Sequence, residues 1–292
     1  MIVAVVLNWN GGGDTLAALA SLDAIPAICV DNGSTDGSDN AVEERFPGVE
    51  LIRTGANLGF AGGNNVGIRR ALERSAEWVL LLNNDAVAEP GLRDALEAAA
   101  LARPDAGLLA CKILDEDGAT VQYTGARFNA WLGYSGRVAT RGPDVLRDVG
   151  RADGAALAVS AEALGRAGLL DESLFLYVED VELSLRVRAA GFAVVLVPDA
   201  RVRHKGSAAS GGRASTTNLY YSARNTILVS ERHRPLPPGL RALRRGVVTG
   251  THLAQAARHP LRREAFAAVL AGWRDARAGR TGARGDPPII AR

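Results

Sequence analysis

Four short polar clusters carry most of the chemistry this sequence can offer, and each follows an apolar run. They are Asn8-Trp9-Asn10-Gly11, Asp31-Asn32-Gly33-Ser34-Thr35-Asp36, the glycine-rich stretch from Asn57 to Asn65 (NLGFAGGNN), and Asn83-Asn84-Asp85. Asn and Asp side chains can hydrogen-bond a base and a ribose, glycine lets backbone amides come close to phosphate, and a carboxylate can hold a divalent cation. A nucleotide site is the physical reading. Any one of these loops is equally what turn formation selects, but four in succession after buried runs are harder to explain that way. Farther along, Glu179-Asp180 opens a candidate helix and His204 stands in RHKG. The helix dipole favours an ionised acid in a first turn, which suits either a solvated N-terminal turn or a proton acceptor. His204 alone reads as an ordinary partly buried histidine or as a ligand.

The elements that must position these groups follow from periodicity. Residues 2–7, 27–31, 49–53 and 78–82 are β-branched apolar runs, as expected of strands buried on both faces. Helix-like stretches at 14–23, 36–46 and 62–75 separate them, with Asp14 and Asp36 as candidate N-caps. Such alternation predicts right-handed βαβ units, and ligands of an open parallel sheet gather beyond the carboxyl ends of its strands, where the clusters fall. NWNGGGDTLAAL lacks the third glycine of GxGxxG, no Walker GxxxxGK[ST] occurs, and Lys112 and Lys205 are the only lysines, so NAD and P-loop chemistry are disfavoured. A helix at 91–102 follows Pro90, and regular alternation then gives way to an irregular region at 106–158 with strand-like LLACKIL and TVQYTGARFN. A helix over 179–190 ends at Gly191, ahead of strands at 193–197 and 201–204. Beyond residue 215 come Arg-rich helical segments, and 275–292 reads as a loose tail.

Composition bounds the class. The 292 residues are 47% hydrophobic and 23% charged, which fits a folded protein with core enough for one large α/β domain and an appendage. Two cysteines, Cys29 and Cys111, cannot build a disulfide framework, and a reducing compartment is expected. MIVAVVLNWN lacks a basic leader region and reads as a strand rather than a signal peptide, and no apolar run is long enough for a transmembrane helix. The net charge of +2 divides unequally: 18 basic against 4 acidic residues over 201–292, and 16 against 28 over 1–200, or +14 and −12. The basic third attracts polyanions. Its Arg clusters, small apolar faces and Trp273 suit an anionic membrane surface, at about 1 kcal/mol per basic residue, or a helical hairpin packed on the rest. No stacking platform or recognition helix points to nucleic acid.

In this order, VVLNWN, VDNGSTDGS, NLGFAGGNN, LLLNNDA, LFLYVEDVELSLRVRAAGF and RHKG resemble the inverting glycosyltransferases of family 2, and among them the rhamnosyltransferase-like enzymes. The resemblance implies an α/β GT-A fold: a mostly parallel central sheet flanked by helices, with a Rossmann-like nucleotide-binding half and a helical C-terminal extension. It implies a catalytic domain over 1–215, split into a nucleotide-sugar-binding half (1–103) and an acceptor-binding half (104–215), and a basic extension over 216–292. By the same similarity Asp31 and Asn32 contact base and ribose, while Asn8, Asn10, Asn57, Gly59, Gly62, Asn64, Asn84 and Asp85 complete the nucleotide-sugar site. Asn83-Asn84-Asp85 stands where the family carries Asp-x-Asp. Only Asp85 keeps a carboxylate, so Mg²⁺ or Mn²⁺ is expected to be weakly held and to arrive with the donor, with His204 as a further ligand.

Asp180, with Glu179 beside it, is implied as the general base of an in-line, inverting displacement. Asp153-Gly154 matches an acceptor-side loop, and Arg224 lies in a YYxxRN-like segment expected at the acceptor or at an interface. The implied activity is transfer of a sugar from dTDP-rhamnose or a UDP-sugar to a hydroxyl of a glycan or lipid-linked glycan, in cell-surface polysaccharide synthesis. The implied place is the cytoplasm, peripheral on the inner face of the plasma membrane. A non-catalytic nucleotide-sugar-binding or membrane scaffold protein is the alternative, suggested by the missing first carboxylate at Asn83.

Overall fold

A computed structural model describes residues 1–22, 25–137, 144–206 and 215–285. The N-terminal third alternates strand and helix as the periodicity predicts: β1 (Ile2–Asn8), α1 (Gly12–Ala20), β2 (Ala27–Asp31), α2 (Ser38–Arg45), β3 (Glu50–Arg53), α3 (Gly59–Glu73) and β4 (Trp78–Asn83). β1 pairs in parallel with β2 and β4, and β2 with β3. Val3, Val5, Ile28 and Val30 are fully buried, which is why these strands read as uninterrupted apolar runs. α3 lies so close to them that a Cβ at Gly67 would stand 2.3 Å from Val5 Cγ1, and one at Gly63 would stand 2.4 Å from Leu7 Cδ1. Both glycines therefore serve helix-on-sheet packing.

Because α1 starts two residues before Asp14, that residue does not cap it; Gly11 holds the cap position, and Asp14 instead pairs with Lys205 Nζ at 2.5 Å. Asp36 precedes the α2 cap, Gly37, and accepts from Ser38 N at 3.0 Å and Gly12 N at 3.2 Å, tying the first two loops together.

After β5 (Ala86–Ala88) and α4 (Leu92–Ala102) the topology changes. β6 (Ala106–Leu114), β7 (Val121–Tyr123), the hairpin β8 (Ala126–Asn129) and β9 (Tyr134–Arg137), β10 (Arg147–Asp148) and β11 (Ala156–Ser160) lead to α5 (Ala161–Ala167) and a 3-10 turn at Glu172–Leu174. Then come α6 (Glu179–Ala189) and β12 (Ala193–His204). The central order is β10-β12-β6-β11-β4-β1-β2-β3, with β5 beside β12 and β7 beside β6. β11 runs antiparallel between β4 and β6, while β12 is parallel to β6, so the sheet is mixed beyond its parallel half. Two strands were expected at 193–197 and 201–204; the chain forms one, with an irregularity between Val197 and Arg201. Pro198 cannot donate to the ladder, and a bulge absorbs that gap without ending the strand.

α7 (Thr216–His233), α8 (Pro238–Ala256) and α9 (Arg262–Arg277) complete the chain. Leu219, Tyr220, Tyr221, Ala265 and Val269 build a small core with Phe175, Leu176 and Tyr177 of the catalytic side. The expected loose tail is ordered as far as it is described. Residues 275–277 finish α9, Gly282 N donates to Ser173 O at 2.5 Å, and Arg284 N donates to Tyr221 OH at 2.8 Å. Residues 286–292 lie outside the described residues. No described helix is long and apolar enough to cross a membrane.

Candidate active site

At the carboxyl ends of β1 and β2 the polar side chains are tied to one another. Asn8 Nδ2 donates to Asp31 Oδ1 (2.9 Å), Ser38 Oγ (2.8 Å) and Ser34 Oγ (3.1 Å), and its Oδ1 accepts from Thr15 Oγ1 (2.6 Å) and Gly11 N (3.2 Å). Asn32 Nδ2 donates to Asn57 Oδ1 and Gly59 O, both at 3.1 Å, while its Oδ1 accepts from Leu58 N at 3.0 Å. Both residues are buried and their amides are used by the protein. In this structure they shape the loops from beneath, where the resemblance implied contact with the nucleotide. Asp31, bonded to Asn8 and to Ser34 N at 3.2 Å, keeps carboxylate lone pairs for a ligand. Asn10 accepts from Thr35 N at 2.8 Å and Asn64 donates to Phe60 O at 2.9 Å, so each braces its own loop or helix. Gly62 packs on Leu58 within α3. Asn84 Nδ2 donates to Thr15 Oγ1 at 3.3 Å and lies 2.1 Å from where a Cβ at Gly11 would stand, which explains that glycine.

Gly59, at φ +76°, lets the chain meet the far segment: a Cβ there would be 2.4 Å from Phe175 O. That carbonyl accepts from Phe60 N at 2.7 Å and from Ala61 N at 3.4 Å. The opening amides of α3, which the glycine-rich loop suggested for phosphate, are therefore capped from within the protein.

Asp85 and His204 come together from β4 and β12. Asp85 Oδ1 is 3.2 Å from His204 Nε2, with side-chain exposures of 5% and 6%. Gln122 fixes the imidazole. Its Nε2 donates to His204 O at 2.6 Å and to Asp115, so its Oε1 faces His204 Nδ1 at 3.3 Å. An amide oxygen there accepts a proton from Nδ1, and Nε2 faces Asp85 with no hydrogen bond of its own among the described residues. Neighbouring ligands of an octahedral cation with bonds of about 2.1 Å lie about 3 Å apart, so this pair fits a divalent ion. Asn83 Oδ1, where the family pattern has a carboxylate, is buried without a hydrogen-bond partner among the described residues.

The third group is carried by an unusual backbone. Phe175, Tyr177 and Val178 have φ of +63°, +65° and +75°, a conformation costing about 1–3 kcal/mol for each non-glycine residue. α7 holds this loop. Asn225 Nδ2 donates to Leu174 O (2.9 Å), Leu176 O (2.8 Å) and Tyr177 O (2.8 Å). Arg224 reaches Leu174 O at 2.9 Å, Asn225 Oδ1 at 2.9 Å and Gly282 O at 2.7 Å, and lies over the rings of Tyr220 and Tyr221. At 1% exposure Arg224 cannot meet an acceptor; that expectation is corrected, and the residue clamps the loop. Asn225 was not singled out in the sequence, since nothing local shows that its amide spans three carbonyls.

The loop delivers Glu179 and Asp180. Glu179 Oε2 is buried without a hydrogen-bond partner among the described residues, and burial, reinforced by the negative charge of Asp180, pushes its pKa from 4.5 to about 8. Asp180 keeps 16% of its side chain accessible. Its Oδ2 accepts from Gly154 N at 3.1 Å and Arg151 Nη1 at 3.3 Å, and its Oδ1 from Val181 N at 2.7 Å. Burial raises the Asp180 pKa, with the Arg151 charge opposing the rise. In the direction of that shift, desolvation outweighs the amides of the helix start. Asp153 lies alongside, 3.8 Å from Arg151 Nη1. Arg151 was missed in the sequence because no spacing links it to a carboxylate 29 residues away.

The raised Glu179 value has a measurable consequence. Protonated Glu179 contributes stability that is full below about 4.5 and is lost as pH rises through about 8, because only the unfolded state ionises in that window. Relative to Glu179→Gln, the wild-type protein is expected to lose thermal stability steadily across that range. Melting both proteins from pH 4 to 9 measures it, and a pH-independent difference would show that Glu179 is ionised in the fold.

Backbone contacts bring these parts to one edge. Asn83, two residues before Asp85, donates its N–H to Ala155 O at 3.0 Å, and the adjacent Gly154 N bonds Asp180. Leu7 pairs with Asn83 and Asn8 with Asp31 in parallel register. Asp31, the Asp85–His204 pair and Asp180 thus share the carboxyl-end edge of the sheet.

A parallel nucleotide half continued through an antiparallel strand to a buried acid pair is the GT-A architecture of glycosyltransferases. Solved structures sharing it include Staphylococcus aureus TarS 1–349 in complex with UDP-GlcNAc (TM-score 0.59, 15% identity, 94% of this chain and 81% of that one). A mannosyltransferase of Pyrobaculum calidifontis in complex with GDP-Man and Mn²⁺ shares it too (TM-score 0.55, 19% identity, 98% and 76%). At such identities the likeness is one of fold. The chain belongs to glycosyl transferase family 2, whose family model matches residues 13–173. It is 34% identical over 260 residues to the N-acetylglucosaminyl-diphospho-decaprenol L-rhamnosyltransferase of Mycobacterium tuberculosis, covering 78% of this chain and 84% of that protein.

Proposed function

We propose that this glycosyltransferase moves a sugar, with inversion, from dTDP-rhamnose or a UDP-sugar to a hydroxyl of a lipid-linked saccharide, and that Asp180 is its general base. The observation that carries this is the run of contacts from Asn83 through Ala155 and Gly154 to Asp180, which sets the base across one edge from Asp31 and Asp85. Similarity to the decaprenol-linked rhamnosyltransferase supports the acceptor class. The nucleotide-sugar half is taken as residues 1–103, the acceptor half as 104–215 and the extension as 216–292.

Burial and mutual repulsion raise the pKa of both acids, so the pair favours carrying a single charge, and Arg151 beside Asp180 favours that charge there. Desolvation makes that carboxylate a stronger proton acceptor, while Arg151 and the Gly154 N–H hold its orientation. The acceptor hydroxyl gives its proton to Asp180 as its oxygen bonds the anomeric carbon, and the bond to the diphosphate breaks on the opposite face. One base suffices, and the anomeric centre inverts. Asp153 and Gly154 flank the acceptor side. Asp85 and His204 would hold Mg²⁺ or Mn²⁺, with the remaining positions left to donor oxygens and water, and the ion's charge would stabilise the departing diphosphate.

Peripheral contact with the inner leaflet is supported by the basic C-terminal third and by Leu240, Leu243 and Val247, exposed on one face of α8. The test is transfer by the purified chain from each donor to a lipid-linked acceptor, with the product anomer assigned by NMR. Donor binding without transfer or hydrolysis would leave the scaffold reading instead. Gln122→Leu frees the His204 ring and is expected to weaken Mn²⁺ affinity in the presence of nucleotide by about 10- to 100-fold, as read by calorimetric titration. Unchanged affinity would remove His204 from the ligand set.

A further inference from the structure

The β8–β9 hairpin and the end of α7 line an open cavity of about 560 Å³, within the range of small-ligand sites. Phe128 and Trp131 give it apolar walls, and Arg127 and Arg234 line it. Both arginines are exposed, and neither has a carboxylate partner among the described residues. A third guanidinium stands behind the wall. Arg244 is 3% exposed and donates through Nη1 to the carbonyls of Ala130 (3.1 Å) and Arg234 (2.7 Å), both residues of the lining. Its Nε and Nη2 are buried with no partner among the described residues, as is the hydroxyl of Ser230 on α7. Arg244 therefore adds a buried positive charge close behind the lining.

The cavity also communicates with the base. Gly136 lines it, and the neighbouring Ser135 Oγ accepts from Arg151 Nε at 2.7 Å, while Arg151 Nη1 touches Asp180 at 3.3 Å. Arg127 follows Ala126, whose carbonyl accepts from Arg151 N at 3.1 Å. One arginine thus separates the proton acceptor from a cationic, aromatic-walled cavity.

We infer that this cavity is the acceptor's phosphate subsite: Arg127 and Arg234, backed by the charge of Arg244 behind the wall, receive the phosphate or diphosphate ester of the saccharide whose hydroxyl faces Asp180, and Phe128 and Trp131 receive the start of its apolar chain. The inference rests on the acceptor class proposed above and adds where the charged linkage sits. Phospholipid headgroups carry the same phosphate chemistry, and the test separates the two sources.

Initial rates are measured for the full chain with two soluble acceptors of one sugar, an alkyl diphosphate ester and a neutral alkyl glycoside of equal chain length. Arg127→Gln with Arg234→Gln, both at exposed positions, is expected to raise KM for the diphosphate acceptor by about tenfold or more over any change for the neutral one, as loss of charged hydrogen bonds does. Arg244→Lys, which keeps the charge but not the fork, is expected to show a smaller shift of the same kind. Equal shifts on both acceptors, or none, overturn the inference. Direct binding of the alkyl diphosphate alone keeps the question apart from catalysis. If the wild-type chain binds it through these arginines yet transfers sugar to neither acceptor, the proposed function fails and the subsite stands. If the double variant loses binding to anionic phospholipid vesicles while alkyl diphosphate binding is unchanged, the arginines serve the bilayer and the inference fails.

Discussion

Asp180→Asn is expected to lower the rate of sugar transfer by about 10² to 10⁴ while leaving nucleotide affinity near its wild-type value, the usual size of a general-base contribution. The substitution is nearly isosteric: the amide oxygen can still accept from Gly154 N and Arg151, while the amide nitrogen gives up the bond from Val181 N, a local loss of about 1 kcal/mol. What disappears is the charge that accepts the proton. Asp31 and Asp85 sit on other strands and lose no contact, so donor binding, read by thermal shift, should persist. The pH dependence of kcat guards against a misassigned base. Were Glu179 the acceptor, removing the Asp180 charge that raises its pKa would shift the profile to lower pH with activity retained. Retained kcat of that kind would exclude Asp180.

Asn225→Ala should be the most damaging change outside the acid pair. Its amide, 0% exposed, is shared among the carbonyls of Leu174, Leu176 and Tyr177, and its oxygen receives Arg224 Nε. Leu174 O keeps Arg224 as a second partner, but Leu176 O and Tyr177 O lose the donor described here. Losing these hydrogen bonds at part-buried carbonyls costs about 1–3 kcal/mol together, enough to lower the melting temperature by a few degrees. The loop it restrains contains three non-glycine residues at positive φ, a geometry that relaxes when the clamp is gone. Since Glu179 and Asp180 follow directly, kcat should fall at least tenfold with donor KM little changed. A variant that melts early yet turns over normally would reduce Asn225 to a stability role. Arg224→Lys tests the same clamp from its other half, because a lysine cannot span Leu174 O, Asn225 and Gly282 at once.

The parallel half of the fold was legible because its strands are buried on both faces and its helices obey a 3.6-residue period. Asn, Asp and Gly at each strand end marked the ligand edge for the same local reason. Roles inside that edge were less legible. Asn8 and Asn32 have the composition of ligand contacts, yet each amide is satisfied by neighbours that only the folded register supplies. Gly63 belongs to the glycine-rich stretch that suggested phosphate, and its bare backbone serves helix-on-sheet packing. Pro198 suggested a strand break that a bulge bridges.

By itself, then, the amino-acid order determined the strands, the polar strand ends, the family motifs and the charge division, because each arises from interactions between residues a few positions apart. Tertiary structure alone decided that Arg151 opposes the rise in Asp180's pKa, that Arg224 and Asn225 clamp a strained loop, that burial raises the pKa of Glu179, and that three arginines flank one cavity. Those outcomes depend on desolvation and on contacts between distant segments, and neither exists until the chain has closed on itself.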